Sequence, residues 1–297
     1  MSDTNEMGSS KARGTAPTVE IPEGSGGGEG GGSIKPLAET AAVSEPFYVR
    51  WWKQMRSLVV LILVMFAVRS VVFDWNDVPS GSMQPTILVG DRVFVNRMAY
   101  GLKIPFTTIH LLRWGSPKRG DIVVFYAPDK DANGKPLHTR MIKRVVGVPG
   151  DVVTLVNNRL TVNGEDAAYL PTTPSTVKEL PPADQNGKDY FVEKVSGLSH
   201  WVAKDPGVEL RGGEGRRNIR EVTVPPGKYL MVGDNRDASA DSRFWGRNSG
   251  NEPVAGLVDE SQVLGRAWRV AFSLKNWVPR WNRFFGALYG MEGEPAK

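Results

Sequence analysis

The sequence contains no cysteine, and this absence removes several classes of chemistry at once. Disulfides, thiolate nucleophiles and cysteine-based metal sites are excluded, while the redox compartment stays undetermined. Histidine is also scarce. The chain has three, His110, His138 and His200, and none has a second histidine or an acidic residue at metal-ligand spacing. We therefore expect all three to be surface or loop residues, and we predict no metal site, no cofactor and no histidine-based serine triad.

A strong excess of charge of one sign is missing as well. The formal net charge is +5 over 297 residues, and no basic run is interleaved with aromatic residues. The sequence therefore does not predict a nucleic-acid partner. Apolar residues make up 40% of the chain, which is enough for a real core in one or two domains.

The N-terminal segment has few apolar residues that could contribute to a hydrophobic core. Residues 1–46 are polar, include a glycine-rich run at 24–32 and show no apolar period. Such a segment cannot bury enough surface to offset its chain entropy. We predict a disordered cytoplasmic leader over 1–46.

Long hydrophobic runs are absent except for one, from Leu58 to Phe73. As a helix it would be roughly 24 Å long, slightly short of a hydrocarbon core of about 30 Å. Trp51 and Trp52 precede it and Trp75 follows it, where an aromatic belt would lie. We predict an uncleaved transmembrane anchor over 47–75; the alternatives are a buried helix of a soluble protein and a cleavable signal peptide.

The charges on either side of this run predict an orientation. Arg50, Lys53 and Arg56 precede it, whereas Asp74 and Asp77 follow it. By the positive-inside rule the N-terminus is cytoplasmic and the remainder of the chain lies outside. That topology suits chemistry on exported substrates.

The outer portion has short runs of apolar residues between proline and glycine turns. The predicted strands are 92–96, 121–126, 141–146, 152–156, 222–224 and 229–232. This pattern is typical of an antiparallel β-barrel or sandwich, so the predicted fold class is mainly β. We divide the outer portion into a core of two parts, 76–151 and 228–272, and a β-rich insertion domain, 152–227, whose stretch 165–220 is the least regular.

The last stretch, 273–297, combines aromatic and basic residues. Trp277, Trp281, Phe284, Phe285 and Leu288 recur at helical spacing, and Pro279 is placed to open a short helix. We predict an amphipathic, membrane-adjacent tail. A helix packed on the barrel is the alternative.

The first candidate for chemistry is the serine-containing segment 79–86, directly after the anchor. Small residues around Ser82 leave its hydroxyl accessible and let a substrate backbone approach. Taken alone, a Ser-Gly-Ser turn is weak evidence, because such turns are common without any catalytic role.

The second candidate is Lys143, which lies inside an apolar strand pattern. In strand geometry Met141, Lys143 and Val145 share a face, so an inward-facing Lys143 would be desolvated. An ordinary lysine is neutral only about 0.04% of the time at pH 7, and a general base should titrate near the operating pH. Burial can lower a lysine pKa that far. The alternative is a surface strand with Lys143 facing water.

The third candidate is the polar, turn-rich segment 233–243. Read alone it could be a loop of Asx turns or a cation site, although it lacks the ligand series of a calcium loop.

Together these segments resemble the bacterial type I signal peptidases, the Ser/Lys-dyad signal peptidase family. The resemblance runs from the anchor to about Trp268. The matching blocks are 79–86, Gly90-Asp91, 119–125, 142–147 with 149–151, and 233–237 with Ser239, Asp241, Ser242 and Arg243. Ordered blocks after an N-terminal anchor form a highly specific match.

The resemblance implies roles for individual residues. Ser82 stands at the family's nucleophile position and Lys143 at the position of its general base. The backbone N–H of Ser82 and the hydroxyl of Ser80 correspond to the oxyanion hole, in which each donor typically contributes about 3 kcal/mol.

The same resemblance assigns the segment 233–243. Ser239 matches the serine that orients the lysine, and Asp241 and Arg243 match a pair that holds the site together. Relatives often have asparagine where this chain has Ala238, and we expect little effect on the chemistry.

Two substrate pockets are implied by family position. Met83, Ile87 and Ile142 are expected to line the first, and Val78 and Ile142 the other. Shallow apolar pockets would accept the small residues that precede a signal-peptide cleavage site.

The implied protein is a serine endopeptidase of the bacterial inner membrane, single-pass, with its catalytic domain on the periplasmic side. It would cleave N-terminal signal peptides of exported preproteins after small-x-small motifs, with membrane lipid as a second partner and without metal or nucleic acid. Two alternatives stay open. One is a specialised processing peptidase with a narrower substrate range. The other is a membrane-tethered β-domain that binds exported chains without cutting them.

Overall fold

The computed structural model describes residues 45–104, 110–128, 139–209, 218–246 and 255–289. Only the last two residues of the predicted leader, 45 and 46, are therefore described. His138 lies outside the described residues. The chain divides into two compact units, Met1–Trp51 and Trp52–Lys297. Only the end of the first unit, from residue 45, is described.

The first element is helix α1, Phe47–Val72. The side chains of its apolar stretch 58–66 are exposed, and Leu61 keeps 64% of its surface accessible. Within the described residues, no helix combines the length and the apolarity that crossing a membrane requires.

The strands that follow cover most of the remaining described chain. In chain order they are β1 Phe73–Asp77, β2 Asp91–Asn96, β3 Gly101–Lys103, β4 His110–Arg113, β5 Ile122–Tyr126, β6 Arg140–Gly147, β7 Val152–Val156, β8 Arg159–Val162, β9 Glu165–Asp166, β10 Ala168–Pro171, β11 Asp189–Val195, β12 Leu198–Lys204, β13 Ile219–Thr223, β14 Lys228–Val232, β15 Val258–Asp259, β16 Val263–Lys275 and β17 Val278–Pro279. Two short helices, α2 Pro182–Asn186 and α3 Pro206–Glu209, lie in the insertion.

The largest sheet has the order β1-β2-β16-β5-β6-β14-β15, with β17 paired to β16, and its pairs are antiparallel. Strand β5 is buried from Ile122 to Phe125 because both of its faces are covered. Strand β2 alternates, with Val93 and Val95 inside. The mainly β fold with antiparallel sheets is confirmed.

The insertion consists of two further antiparallel sheets, β13-β7-β8-β9 and β10-β11-β12. Its hairpins turn over two residues with positive φ, at 157–158, 163–164 and 196–197. Asparagine and glycine tolerate this conformation, and the resulting turns match the twist of the paired strands. The stretch that sequence composition marks as least regular, 165–220, thus contains a regular hairpin of seven residue pairs between β11 and β12.

Most of the predicted strands agree with the structure to within a residue or two. The exception is 222–224, where strand β13 lies earlier, at Ile219–Thr223. Its pairing with β7 is interrupted by an irregularity between Ile219 and Val222. The polar residues at this irregularity conceal the strand from an analysis of apolar alternation.

Two apolar clusters position the site. The first gathers Val78, Met83, Ile87, Val93, Val95, Ile122, Val124, Leu264, Ala267, Val270 and Leu288. The second joins the insertion to β14 through Val146, Val153, Leu155, Leu160, Val162, Val195, Leu198, Ile219, Val224, Leu230 and Val232. The insertion is therefore packed against the main sheet by a continuous buried surface rather than tethered to it.

As far as it is described, to residue 289, the C-terminal segment does not form the predicted short helix. These residues contain a single 3₁₀ turn, Trp281–Arg283, after β17. Arg280 and Arg283 are buried, and Arg283 Nη2 lies 2.5 Å from Asp91 Oδ2. These two arginines therefore face the protein rather than a polar helix face, whereas Trp277 and Trp281 are exposed.

Candidate active site

Ser82 lies in a 3₁₀ turn, Gly81–Met83, that follows the extended residue Ser80. The turn is held from across the chain: Asn235 donates its backbone N–H to Ser82 O at 3.1 Å and its side-chain amide to Gly81 O at 2.9 Å. Met83 packs beneath it in the core. As a result Ser82 is only 6% exposed and its backbone is fixed.

Lys143 lies on β6, opposite Val123 of β5, and is 4% exposed. Its Nζ lies 2.7 Å from Ser82 Oγ and 2.9 Å from Ile142 O. Burial lowers the pKa of Lys143 from 10.5 to about 8, although the charges of Asp241 and Asp234 act in the opposite direction. A buried amine with this pKa, in contact with a hydroxyl, can accept the hydroxyl proton.

Asp241 and Arg243 form a two-point ion pair beside this lysine. Arg243 Nε and Nη2 lie 2.7 and 2.6 Å from the two carboxylate oxygens of Asp241, and both side chains are fully buried. Burial alone would raise the pKa of Asp241, but Arg243 and the N–H of Gly233 hold it below its usual value. The pair therefore keeps both charges at neutral pH.

A second buried ion pair, which the sequence reasoning missed, lies on the adjacent residue of β6. Arg144 binds Asp234 with Nε–Oδ1 and Nη2–Oδ2 distances of 2.8 and 2.7 Å. Thr86 donates its hydroxyl to the same carboxylate at 2.5 Å. The pair thus ties the strand that carries Lys143 to the segment after Ser82 and to the loop 233–243. The sequence gives little indication of this ion pair, because Arg144 and Asp234 lie ninety residues apart.

Ser80 and Ser239 occupy different surroundings. Ser80 donates its hydroxyl to Ser82 Oγ over a long 3.4 Å, at the edge of the cleft. Ser239 is buried, and a hydrogen bond from its hydroxyl helps to lower the pKa of Asp241. Among the described groups, it makes no hydrogen bond with Lys143. Instead, the carbonyl of Ile142 accepts the second contact of Lys143 Nζ. The orienting role of Ser239 therefore stays a prediction.

A cavity of about 360 Å³ opens beside the serine and the lysine. Of the residues predicted to line substrate pockets, Val78 and Ile142 line this cavity, whereas Met83 and Ile87 are not among its lining residues. Both are completely buried in the core instead. The remaining lining residues are Asn76, Asp77, Pro79, Ser80, Ser82, Val93, Val124, Thr139, Arg140, Met141, Lys143, Ala238 and Ala240.

The prediction that all three histidines are surface or loop residues is wrong for His200. It lies on β12 and is buried, with Nε2 3.5 Å from Glu193 Oε1 and 3.6 Å from Asp234 Oδ1. Burial, together with Arg144 and Arg236, holds its pKa well below the usual value. A single histidine without a motif gives no sequence signal for such burial. Across the described ranges, no group of three or more His, Asp or Glu side chains is arranged to hold a metal ion.

The chain matches the family model described as "Signal peptidase, peptidase S26" over residues 51–272. A signal peptidase I of Pseudomonas fluorescens is 34% identical over 233 residues, which are 77% of this chain and 74% of the relative. One from Pseudomonas aeruginosa is 34% identical over 235 residues with the same coverage, and one from Buchnera aphidicola is 29% identical over 260 residues, 78% of each chain. A solved signal peptidase I from Enterococcus faecalis is 24% identical, with 50% of this chain and 95% of the solved chain covered and a TM-score of 0.25.

Proposed function

We propose that this chain, a serine endopeptidase that belongs to the signal peptidase family, peptidase S26, removes signal peptides from exported preproteins through a Ser82–Lys143 dyad. The observation that carries the proposal is the 2.7 Å contact between Lys143 Nζ and Ser82 Oγ in a buried setting. The nucleophile and its base are within proton-transfer distance before any substrate binds.

The reaction would proceed in two acyl transfers. Lys143 takes the proton of Ser82 Oγ while the oxygen attacks the scissile carbonyl carbon. The peptide C–N bond then breaks, and Lys143 returns the proton to the leaving nitrogen. The signal peptide is left as an ester of Ser82. A water molecule, deprotonated by the same amine, hydrolyses this ester and regenerates both side chains.

Hydrogen-bond donors around Ser82 would stabilise the tetrahedral intermediate. The backbone N–H of Ser82 and the hydroxyl of Ser80 would bind the oxyanion, each contributing about 3 kcal/mol. The 3.4 Å separation of the two hydroxyl oxygens supports this role for Ser80. In the free enzyme the Ser80 hydroxyl points to Ser82 Oγ, and it would turn to the oxyanion once Ser82 Oγ bonds to the scissile carbonyl carbon.

Cleavage after small-x-small motifs would follow from the shape of the cavity. Val78 and Ile142 form part of its wall, and Val93 and Val124, both buried, form apolar surface behind them. A tightly packed apolar floor has no space for a large side chain, so small residues bind best. Met83 and Ile87 would act by packing behind this surface, since both belong to the same apolar cluster.

We also propose that the apolar part of α1 attaches the enzyme to the bacterial inner membrane as a single-pass anchor, with the N-terminus cytoplasmic and the catalytic residues on the periplasmic side. The exposed aliphatic side chains of 58–66 support attachment, because such surface is unfavourable in water. The basic residues before this stretch and the acidic residues after it support the orientation.

The decisive experiment is cleavage of a purified preprotein by the full chain in detergent. We expect Ser82→Ala and Lys143→Met each to lower turnover by at least a thousandfold, as loss of a dyad member does in other serine enzymes. Lys143→Met should fold as well as the wild type because it removes the cost of burying an amine. The matched control is Lys118→Met, which changes an exposed lysine.

Near-normal turnover by Lys143→Met at neutral pH, with Lys118→Met also active, would show that the base has been misassigned. A panel of unrelated preproteins separates a general signal peptidase from a specialised one. Absence of cleavage by the wild type across the panel would favour a binding module.

A further inference from the structure

The hairpin turn between β7 and β8 extends from the insertion to the loop 233–243. Its two residues, Asn157 and Asn158, have φ angles of 48° and 56°. Asparagine suits this conformation, and Asn157 is exposed as a turn residue usually is. Asn158 is different, because only 3% of it is exposed. Turn geometry explains the choice of asparagine at 158 but not the burial of its side chain.

The buried amide of Asn158 is matched to two opposite charges. Its Nδ2 donates to Asp237 Oδ1 at 2.9 Å, and its Oδ1 accepts from Arg243 Nη1 at 3.2 Å. An amide offers a donor and an acceptor on one short side chain. A carboxylate at 158 would repel Asp237, and a cation would repel Arg243. Among side chains of this size, an amide therefore satisfies both neighbours.

The contact completes the binding of Arg243. Its Nε and Nη2 are held by Asp241, so Asn158 occupies its remaining nitrogen. Asp241 is held independently of Asn158, because its Oδ2 also accepts a hydrogen bond from the N–H of Gly233 at 3.0 Å. If the amide of Asn158 were removed, the guanidinium would gain freedom while the carboxylate stayed in place.

The pair acts on the catalytic lysine through its charges. Asp241 raises the pKa of Lys143, and Arg243 lowers it. The position of the guanidinium therefore helps to set how much of Lys143 is neutral at a given pH.

We propose that Asn158, a residue of the insertion, is a positioning residue for the proton-transfer step. Its amide fixes the Arg243 guanidinium next to the Asp241 carboxylate and so maintains the arrangement of charges around Lys143. The inference rests on the proposed function, because it requires Lys143 to act as the base. It also gives the insertion a part in catalysis that does not depend on contact with substrate.

The test is Asn158→Gly in the full chain, assayed for preprotein cleavage from pH 6 to pH 11. Glycine adopts a φ of 56° without strain, so the substitution removes the amide alone. We expect kcat at pH 7 to fall about tenfold, the effect of losing a hydrogen bond to a charged group, with KM changed less than twofold. The acidic limb of the kcat profile should move to higher pH, because the Arg243 charge, which lowers the pKa of Lys143, is then held in place by Asp241 alone.

The matched control is Asn157→Gly, the same change at the exposed neighbour with the same backbone conformation. It should leave kcat and the pH profile unchanged. If Asn158→Gly fails to fold, Asn158→Ser replaces it, because serine is a tolerated turn residue but is too short to bridge both partners.

Three outcomes are distinct. A shifted limb with lower kcat supports the inference. Wild-type behaviour, or a fall in kcat with the limb in place, overturns it, since a purely structural role lowers the active fraction without moving a titration. An inactive wild type contradicts the proposed function itself.

Discussion

Two lysines among the described residues are buried and have a pKa lowered to about 8, yet their surroundings differ. Lys103 donates to the carbonyls of Val263 and Leu264, and burial is the main cause of its lowered pKa. Lys143 shares the cause but contacts the hydroxyl of Ser82. A lowered pKa alone therefore does not mark a base. The contact with the hydroxyl of Ser82, the proposed nucleophile, distinguishes the two lysines.

This comparison gives a prediction for the pH dependence of cleavage. At pH 7 a lysine with a pKa of about 8 is neutral in about a tenth of molecules, and the neutral fraction rises with pH. We expect kcat/KM, which reports groups of the free enzyme, to increase nearly tenfold per pH unit below an apparent pKa of about 8 and to level off above it. Steady-state cleavage from pH 5.5 to pH 9.5 measures this limb.

The other buried lysine supplies the control for that measurement. Lys103→Met should leave the limb where it is, because Lys103 has no contact with the dyad in the described structure. A limb that shifted in the Lys103→Met variant would contradict the assignment of the base to Lys143. A wild-type limb with an apparent pKa near 10 would contradict it as well.

The residues of the site differed in how far the sequence could predict them. Ser82 and Lys143 could be identified because each lies in a block with a recognisable order. Asn158 could not, because it lies outside those blocks and acts through a contact made across 85 residues of chain. Asn235 does lie in a matching block, but its contact with Gly81, across 154 residues, was not predicted. The positions of Met83 and Ile87 behind the cleft were also out of reach, since family position does not reveal which neighbour separates a side chain from the cavity.

The loop 233–243 organises the site as an element. It begins directly after β14, and its backbone passes close to the turn that carries Ser82. A Cβ on Gly233 would overlap the hydroxyl of Ser239 and come within 2.5 Å of Ser82 O. Glycine at 233 thus permits the loop to approach the nucleophile's backbone.

We expect Gly233→Ala to lower kcat by more than tenfold and to lower the thermal midpoint by several degrees, because overpacking of a buried contact costs about 1–3 kcal/mol. Preprotein cleavage and thermal denaturation measure the two effects. Gly115→Ala is the control, since a Cβ there meets its nearest neighbour at an ordinary 3.7 Å. Equal behaviour of the two variants would show that the loop does not depend on this close approach.

The strands show what sequence patterns can and cannot predict at this scale. Strands β2, β5, β6, β7 and β14 were predicted because apolar residues dominate or alternate within them. The hairpin of β11 and β12 was missed because charged residues interrupt its apolar pattern: Glu193 is buried in an ion pair with Arg236, and Lys194 beside it is exposed. Its turn at Ser196-Gly197 was the available signal.

For the molecule as a whole, the proposed attachment to the membrane depends on the surface of α1. The apolar stretch of α1 exposes aliphatic side chains that a protein in water would normally cover. The flanking tryptophans at 51, 52 and 75 are also exposed. Both observations are expected of a segment whose natural surroundings are lipid.

We therefore expect the full chain to stay with the membrane fraction after alkaline carbonate washing, and a Leu61→Asp, Leu63→Asp variant to be released. Each aspartate at a helix centre costs about 2.5–3.5 kcal/mol on insertion. The matched control is Lys194→Asp, which changes net charge by the same two units at an exposed strand position. In spheroplasts, protease added outside should remove a C-terminal tag from the wild type. Release of the wild type by carbonate, or retention of the double variant, would refute the anchor, and a protected tag would refute the orientation.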